Sequence, residues 1–229
     1  MFQALLGGFL GVALGMRHAI EPDHLAAVST LVAEERSPVA GARLGALWGL
    51  GHTTALLAVG LTLALLRVEL PAPLADVFEF GVAIMLFALG VRAIHRALLQ
   101  SASGPATRHA HGASTHVHVG PHEHVHVFRW TLAKRPLLIG IVHGLAGSGA
   151  LTALVLAQLP TAAARIVYIA LFGLGSVLGM AVLSGLAGWP LARMSAHPRA
   201  ARVLSVATGC LSAGLGIFWG SPFVAQWMR

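Results

Sequence analysis

The chain of 229 residues is 56% hydrophobic and only 10% charged. This composition excludes an ordinary soluble domain, which has no use for many long apolar runs, and indicates a membrane protein. The single cysteine, Cys210, excludes a disulfide framework and a thiolate metal site built within one chain. The formal net charge of +7 does not indicate nucleic-acid binding, because the basic residues are distributed as membrane topology requires.

Apolar runs free of Asp, Glu, Lys and Arg predict about six transmembrane helices, since about 20 apolar residues in a helix cross a bilayer core. Five such runs are 1–16, 44–66, 136–164, 166–192 and 203–228. A sixth, 80–91, reaches full length if Asp76, Glu79 and Arg92 lie near the ends of its helix. We therefore predict an all-α integral membrane protein embedded in the lipid bilayer.

The basic residues predict the orientation of these spans. Eleven of the 15 Lys and Arg residues lie in the loops after spans one, three and five, and only three lie on the opposite side. Loops rich in Lys and Arg stay in the cytoplasm. We therefore expect a multi-pass protein of the cell inner membrane with both termini outside.

The first span contains a cluster of polar residues, with His18, Asp23 and His24 placed around Pro22. Such groups are expensive inside a membrane and usually mark a substrate path. On a straight helix His18 and Asp23 would point about 140° apart, so the three side chains could not converge on one ion. Pro22 removes a backbone N–H, and we expect the first helix to be broken near it. The alternative is that the cluster caps a wet helix end.

Two further histidines, His52 in span two and His143 in span four, are expected at a comparable depth. Either could be a hydrogen-bonded packing residue. Beside the first cluster, a ligand or supporting role is the better interpretation for His52, and both interpretations stay open for His143. Imidazole with carboxylate suits Ni²⁺, Co²⁺ or Zn²⁺, whereas the absence of sulfur ligands disfavours Cu(I). The candidate metal ligands are His18, Asp23, His24, His52 and His143.

The sequence divides into a first half, 1–100, a His-rich segment, 101–130, and a second half, 131–229. The middle segment is rich in Gly, Pro and Ser, and is expected to be a flexible cytoplasmic loop that binds metal weakly. A solvated linker without a metal role is the alternative. Its seven histidines are His109, His111, His116, His118, His122, His124 and His126.

The two halves repeat each other at an offset of about 125 residues. Segments 15–18, 47–52 and 89–91 align with 140–143, 171–176 and 215–217, although coincidence in a chain rich in Gly and Leu is the alternative. Halves of three spans each must insert with opposite orientation, which predicts a 3+3 inverted repeat. We expect spans one and four to pack near each other at its axis, flanked by spans two and five.

The motif His18-x4-Asp23-His24 matches the His-x4-Asp-His signature of the nickel/cobalt transporter family, and Leu50-Gly51-His52-Thr53 resembles that family's second histidine motif. The resemblance covers most of the chain and is closest to the shorter members associated with urease. It implies transport of Ni²⁺ or Co²⁺, with His18, Asp23 and His24 as the selectivity site. The long members have eight spans and an Asp/Thr/Glu motif in their second half, which this chain lacks.

The function expected from these features is transport of divalent nickel or cobalt, with uptake favoured by the association with urease. The alternatives are efflux of the same ions and secondary transport of another substrate. We expect no enzyme activity, because nothing resembles the His-Glu-x-x-His motif of a zinc protease. The metal is the transported ion, so no cofactor is expected. A cytoplasmic metallochaperone is a candidate partner, and nucleic acid is not expected to bind.

Overall fold

The computed structural model describes residues 2–33, 37–66, 68, 70–99, 108–111, 114–117, 124–127, 130–146, 161–194 and 197–228. These residues form seven helices and four short strands. The helices are α1 (Phe2–His18), α2 (Pro22–Val32), α3 (Pro38–Leu66), α4 (Ala72–Leu99), α5 (Lys134–Leu145), α6 (Ala162–Met194) and α7 (Pro198–Trp227).

Four of the described helices, α3, α4, α6 and α7, are long and apolar enough to cross a membrane. They correspond to predicted spans two, three, five and six, and α4 contains the charged residues near its ends that its prediction required. Helices α1 and α5, where spans one and four were predicted, have only 17 and 12 residues. Most of the rest of span four, 147–160, lies outside the described residues, so the count of six stays a prediction.

The chain leaves the helical path between His18 and Pro22, as the proline predicts. The N–H of Ile20 donates to the carbonyl of Arg17 and that of Glu21 to the carbonyl of His18, both at 3.0 Å, which closes α1 with tight turns. Glu21 is extended, with φ −63° and ψ 149°, and Pro22 then begins α2, where its missing N–H leaves no bond unmade. His18 therefore ends one helix, and the next residues of the motif begin another.

Helix α2 lies inside the bundle, against α3, α4, α6 and α7. Seven of its eleven residues are buried. Its small side chains Ala26 and Ala27 pack into a core that includes Trp48, Leu86 and Met180. The long helices carry large apolar side chains on their outer surfaces, which suits contact with lipid.

Glycines allow the helices to approach closely. A Cβ atom added to Gly15 in α1 would overlap the backbone carbonyl of Phe172 in α6. Likewise, a Cβ added to Gly140 in α5 would overlap the backbone carbonyl of Trp48 in α3. The two contacts are reciprocal, because Gly15 and Trp48 belong to segments that align with those of Gly140 and Phe172.

A second reciprocal contact joins α4 to α7. A Cβ on Gly90 would overlap the carbonyl oxygen of Gly209, and one on Gly216 would lie 2.6 Å from the carbonyl oxygen of Ala83. Gly90 aligns with Gly216, and Ala83 precedes Gly209 by the same offset. Positions that align in the sequence therefore form matching contacts, with the two segments exchanging roles.

The helices at the centre of the bundle are not those expected from the sequence. The most extensive contact is between α3 and α6, the predicted spans two and five. Helix α1 packs on α6, and α5 packs on α3. Among the described helices, the expectation that spans one and four form the centre with spans two and five flanking them is therefore wrong, because the glycines of α1 and α5 fit against α6 and α3. Spans one and four still meet where Asp23 of α2 contacts His143 of α5.

The segment between the halves contains two antiparallel hairpins where a flexible loop was predicted. They pair β1 (Arg108–His111) with β2 (Ser114–Val117), and β3 (His124–Val127) with β4 (Trp130–Ala133). The register places His109 opposite His116. His118 and His122 lie outside the described residues, and the predicted weak metal binding by the segment stays a prediction.

Candidate metal site

The structure brings together all five candidate ligands, from four helices. His18 ends α1, Asp23 and His24 lie in the first turn of α2, His52 is near the middle of α3, and His143 is in the last turn of α5. All five are buried, and the two central imidazoles, His24 and His52, are 0% exposed. The break before Pro22 is what allows His18 and His24 to face the same centre.

The carboxylate of Asp23 bridges two imidazoles. Its Oδ1 lies 3.0 Å from Nδ1 of His24, and its Oδ2 lies 2.6 Å from Nε2 of His143 in the other half of the chain. A carboxylate accepts hydrogen bonds, so these contacts place a proton on each of those nitrogens. The other nitrogens of both rings are buried and have no hydrogen-bond partner among the described residues. When the rings are neutral, each of these nitrogens carries a lone pair that can bind a cation.

A second contact joins the first and third helices. Nε2 of His18 lies 3.1 Å from Nε2 of His52. Only one proton can lie between two ring nitrogens, so at least one of them presents a lone pair there. Nδ1 of His18 lies 3.0 Å from Oε1 of Glu21, without hydrogen-bond geometry, and the contact is an ion pair when the imidazole is protonated. Glu21 is partly exposed, unlike the five candidate ligands.

Aromatic rings form the walls of the cluster. The ring of Trp48 lies 5.3 Å from that of His24 and 5.6 Å from that of His143. The ring of Phe172 lies 5.5 Å from that of His18. Trp48 and Phe172 occupy aligned positions of the two halves. Because the cluster is buried, a charge in it must be neutralised by its neighbours.

Helix ends add to the electrostatics of the site. The C-terminal ends of α1 and α5 reach the cluster at His18 and His143, and carry partial negative charge that favours a cation. Asp23 lies in the first turn of α2, where the partial positive charge of the helix N-terminus stabilises a carboxylate. The partial charges of the helix ends therefore favour both a cation at the cluster and the ionised carboxylate of Asp23.

Two groups of three side chains could each hold a metal ion. They are His18, His24 and His52, and Asp23, His24 and His143; within each group the ligand atoms all lie within 4.8 Å of one another. First-row divalent ions bind imidazole nitrogen and carboxylate oxygen at about 2.0–2.2 Å, so such atoms need only small movements to share an ion. Both sets suit nickel, cobalt or zinc.

Sequence reasoning found the five ligand candidates and missed their surroundings. The contact of Glu21 with His18 has a sequence signal, since the two residues are one helical turn apart at the end of α1. The aromatic residues beside the cluster, Trp48 and Phe172, have no sequence signal apart from their aligned positions in the two halves. Their contacts with the histidines depend on how the helices pack.

These features define a helical membrane protein whose core encloses a cluster of potential metal ligands. The chain is 33% identical over 210 residues to the urease accessory protein UreH of Bacillus sp. (strain TB-90). The aligned region covers 92% of this chain and 88% of that relative. The chain therefore belongs to the nickel/cobalt transporter family, among its shorter, urease-accessory members. No protein-family model and no solved structure matches it.

Proposed function

We propose that the protein carries Ni²⁺ or Co²⁺ across the cell inner membrane, in the direction of uptake. The observation that carries this proposal is the burial of four imidazoles and one carboxylate where the break between α1 and α2 meets α3 and α5. Each buried polar group left without a partner costs about 1–3 kcal/mol. Several ring nitrogens of the cluster are in that condition, so a role in packing alone does not explain them.

The ligand chemistry and the relative together favour nickel or cobalt. Imidazole and carboxylate ligands suit these ions, and affinity alone would place nickel above cobalt. The relative is named as a urease accessory protein, and urease is a nickel enzyme. The two candidate groups contain six ligand positions if His24 is counted in both. The His-x4-Asp-His motif, His18 to His24, provides four of these six.

A pseudo-two-fold axis in the membrane plane would relate the two halves. Two pairs of reciprocal contacts support this arrangement: Gly15 on Phe172 with Gly140 on Trp48, and Gly90 on Gly209 with Gly216 on Ala83. The cluster would then lie where the halves meet, with His143 contributed by the second half. It is asymmetric, because the position equivalent to His52 is Ser176, whose hydroxyl donates to the carbonyl of Gly15 at 3.4 Å. Movement of one half against the other would open the site to alternate sides.

The predicted topology places the His-rich segment, 101–130, in the cytoplasm. An imported ion would emerge on that side, where the histidines would raise its local concentration and favour transfer to a metallochaperone. The same segment could load an exporter, so direction needs its own measurement. Both termini would lie outside.

The test is uptake of labelled nickel and cobalt by cells and by proteoliposomes that contain the purified protein. His24→Ala should abolish uptake, because His24 belongs to both groups of candidate ligands. His95→Ala is the matched control, since His95 is exposed on α4, away from the cluster. Normal uptake by the His24→Ala protein would overturn the proposed site, and lower cell nickel with increased resistance would make the protein an exporter.

A further inference from the structure

His24 is the one residue shared by the two groups of candidate ligands. We name the group of His18, His24 and His52 the imidazole position, and the group of Asp23, His24 and His143 the carboxylate position. The imidazole position joins α2 to α1 and α3, whereas the carboxylate position joins α2 to α5. His24 thus links the ligands from α1 and α3 to those of the carboxylate position.

The two ring nitrogens of His24 have different surroundings. Nδ1 lies 3.0 Å from Oδ1 of Asp23, within the carboxylate position. Nε2 is buried and has no hydrogen-bond partner in the described part of the chain, so it is the nitrogen free to serve the imidazole position. The ring of His18 is close by, with its centroid 4.4 Å from that of His24, and the ring of His143 is at 4.2 Å.

One cation cannot use both nitrogens of one imidazole, because their lone pairs point away from the ring in different directions. An ion bound through Nε2 of His24 leaves its Nδ1–H donating to Asp23. An ion bound between Nδ1 and the carboxylate must instead displace that hydrogen, which then belongs on Nε2. Because each group would use a different nitrogen of His24, the five side chains cannot all bind one ion at the same time in this arrangement.

We propose that the cluster holds the transported cation at two successive positions, first one and then the other, with His24 as a ligand in both. The inference rests on the proposed transport function and adds the path of the ion within the site. The imidazole position offers three neutral ligands, whereas the carboxylate position offers one anion and two neutral ligands. The two positions therefore differ in charge, and transfer between them exchanges the nitrogen of His24 that binds the ion.

The difference in ligands allows each position to be removed separately. His52→Ala takes a ligand from the imidazole position only, and His143→Ala takes one from the carboxylate position only. His52→Gln and His143→Gln provide a second pair, in which the amide keeps a hydrogen-bond donor for the neighbouring group. His95→Ala is the control for loss of an exposed histidine.

The experiment uses Co²⁺ as the probe on the purified full-length protein, because its visible absorption spectrum reports the number and type of its ligands. We expect His52→Ala and His143→Ala each to bind one Co²⁺, because each leaves one position intact. The affinity should stay within about tenfold of that of the unaltered protein. Loss of a residue that merely supports a metal ligand typically lowers affinity by about 10–100-fold. The spectra of the two variants should differ from each other, and neither variant should transport. The double variant should lose binding by more than about 100-fold.

A single shared site gives a different pattern. Both single variants would then lower Co²⁺ affinity by similar large factors and leave spectra of the same type, which would overturn the two-position arrangement. If the Ala variants do not fold, the same comparison of spectra is made with the Gln pair. An unaltered protein that neither binds nor transports cobalt or nickel would instead refute the proposed function itself.

Discussion

The glycines that precede the two buried histidines by one helical turn provide a sharp test of how the halves fit together. Gly15 precedes His18 in α1, and Gly140 precedes His143 in α5. A Cβ atom at either glycine would overlap a backbone carbonyl of the neighbouring helix, which cannot rotate away as a side chain can. Gly140→Ala must therefore push α5 away from α3, and Gly15→Ala must push α1 away from α6.

The expected magnitude follows from the contact. Overpacking costs about 1–3 kcal/mol, and more where backbone must move. For a protein of this size about 1 kcal/mol shifts the Tm by about 2–4 °C, so each variant should lose roughly 2–12 °C. Because the pushed helix also carries a histidine of the cluster, uptake should fall more than stability alone explains.

Gly81 and Gly214 are matched controls, because a Cβ atom at either would meet nothing within 4 Å. Alanine there should raise stability by about 0.5–1 kcal/mol, through its better helix propensity. The assay is thermal unfolding of the purified proteins in detergent, with nickel uptake measured in parallel. If Gly140→Ala were as stable and active as Gly81→Ala, the close contact of α5 with α3 would be refuted.

Three further predictions concern the site and its surroundings. Asp23→Asn should abolish uptake and lower stability by about 1–3 kcal/mol, because the single amide oxygen replaces two carboxylate oxygens that each face an imidazole N–H. Metal binding and thermal unfolding measure this effect, and normal uptake would show that Asp23 is not part of the site. Deletion of 104–127 should leave the preference between nickel and cobalt unchanged and alter the apparent affinity for the ion, as measured by competition uptake assays. A switch of the preferred ion would show that the segment is part of the selectivity site. Cells that express the protein should accumulate more nickel and become more sensitive to it, and the opposite result in growth and metal-content measurements would reverse the direction.

Much of the helical architecture follows from local sequence properties. Apolar length predicts the four long helices, and the chemistry of Pro22 predicts the break after α1. The candidate ligands could be named because an imidazole or carboxylate in an apolar span has few other uses. These inferences need only the sequence near each residue.

The pairing of helices could not be predicted in the same way. The contact of Asp23 with His143 joins residues 120 positions apart, and depends on where α5 meets α2. The repeat in the sequence indicated that the halves correspond, but not which helices form the centre. That is decided by the glycines at 15 and 140, whose small size is visible in the sequence while the carbonyls they approach are not.

The short buried helix α2 also has a consequence for biogenesis. Its 11 residues extend about 16 Å at 1.5 Å per residue, roughly half of a hydrocarbon core of about 30 Å. With Asp23 and His24 in its first turn, it is a poor candidate for independent release into lipid, since its polar ends need protein partners. Helices α3, α4, α6 and α7 lie against it; all four follow it in synthesis, and α6 and α7 lie far downstream. We therefore expect α2 to reach its final place late, after the long helices have inserted, so that the metal site is completed only when the whole chain has been made.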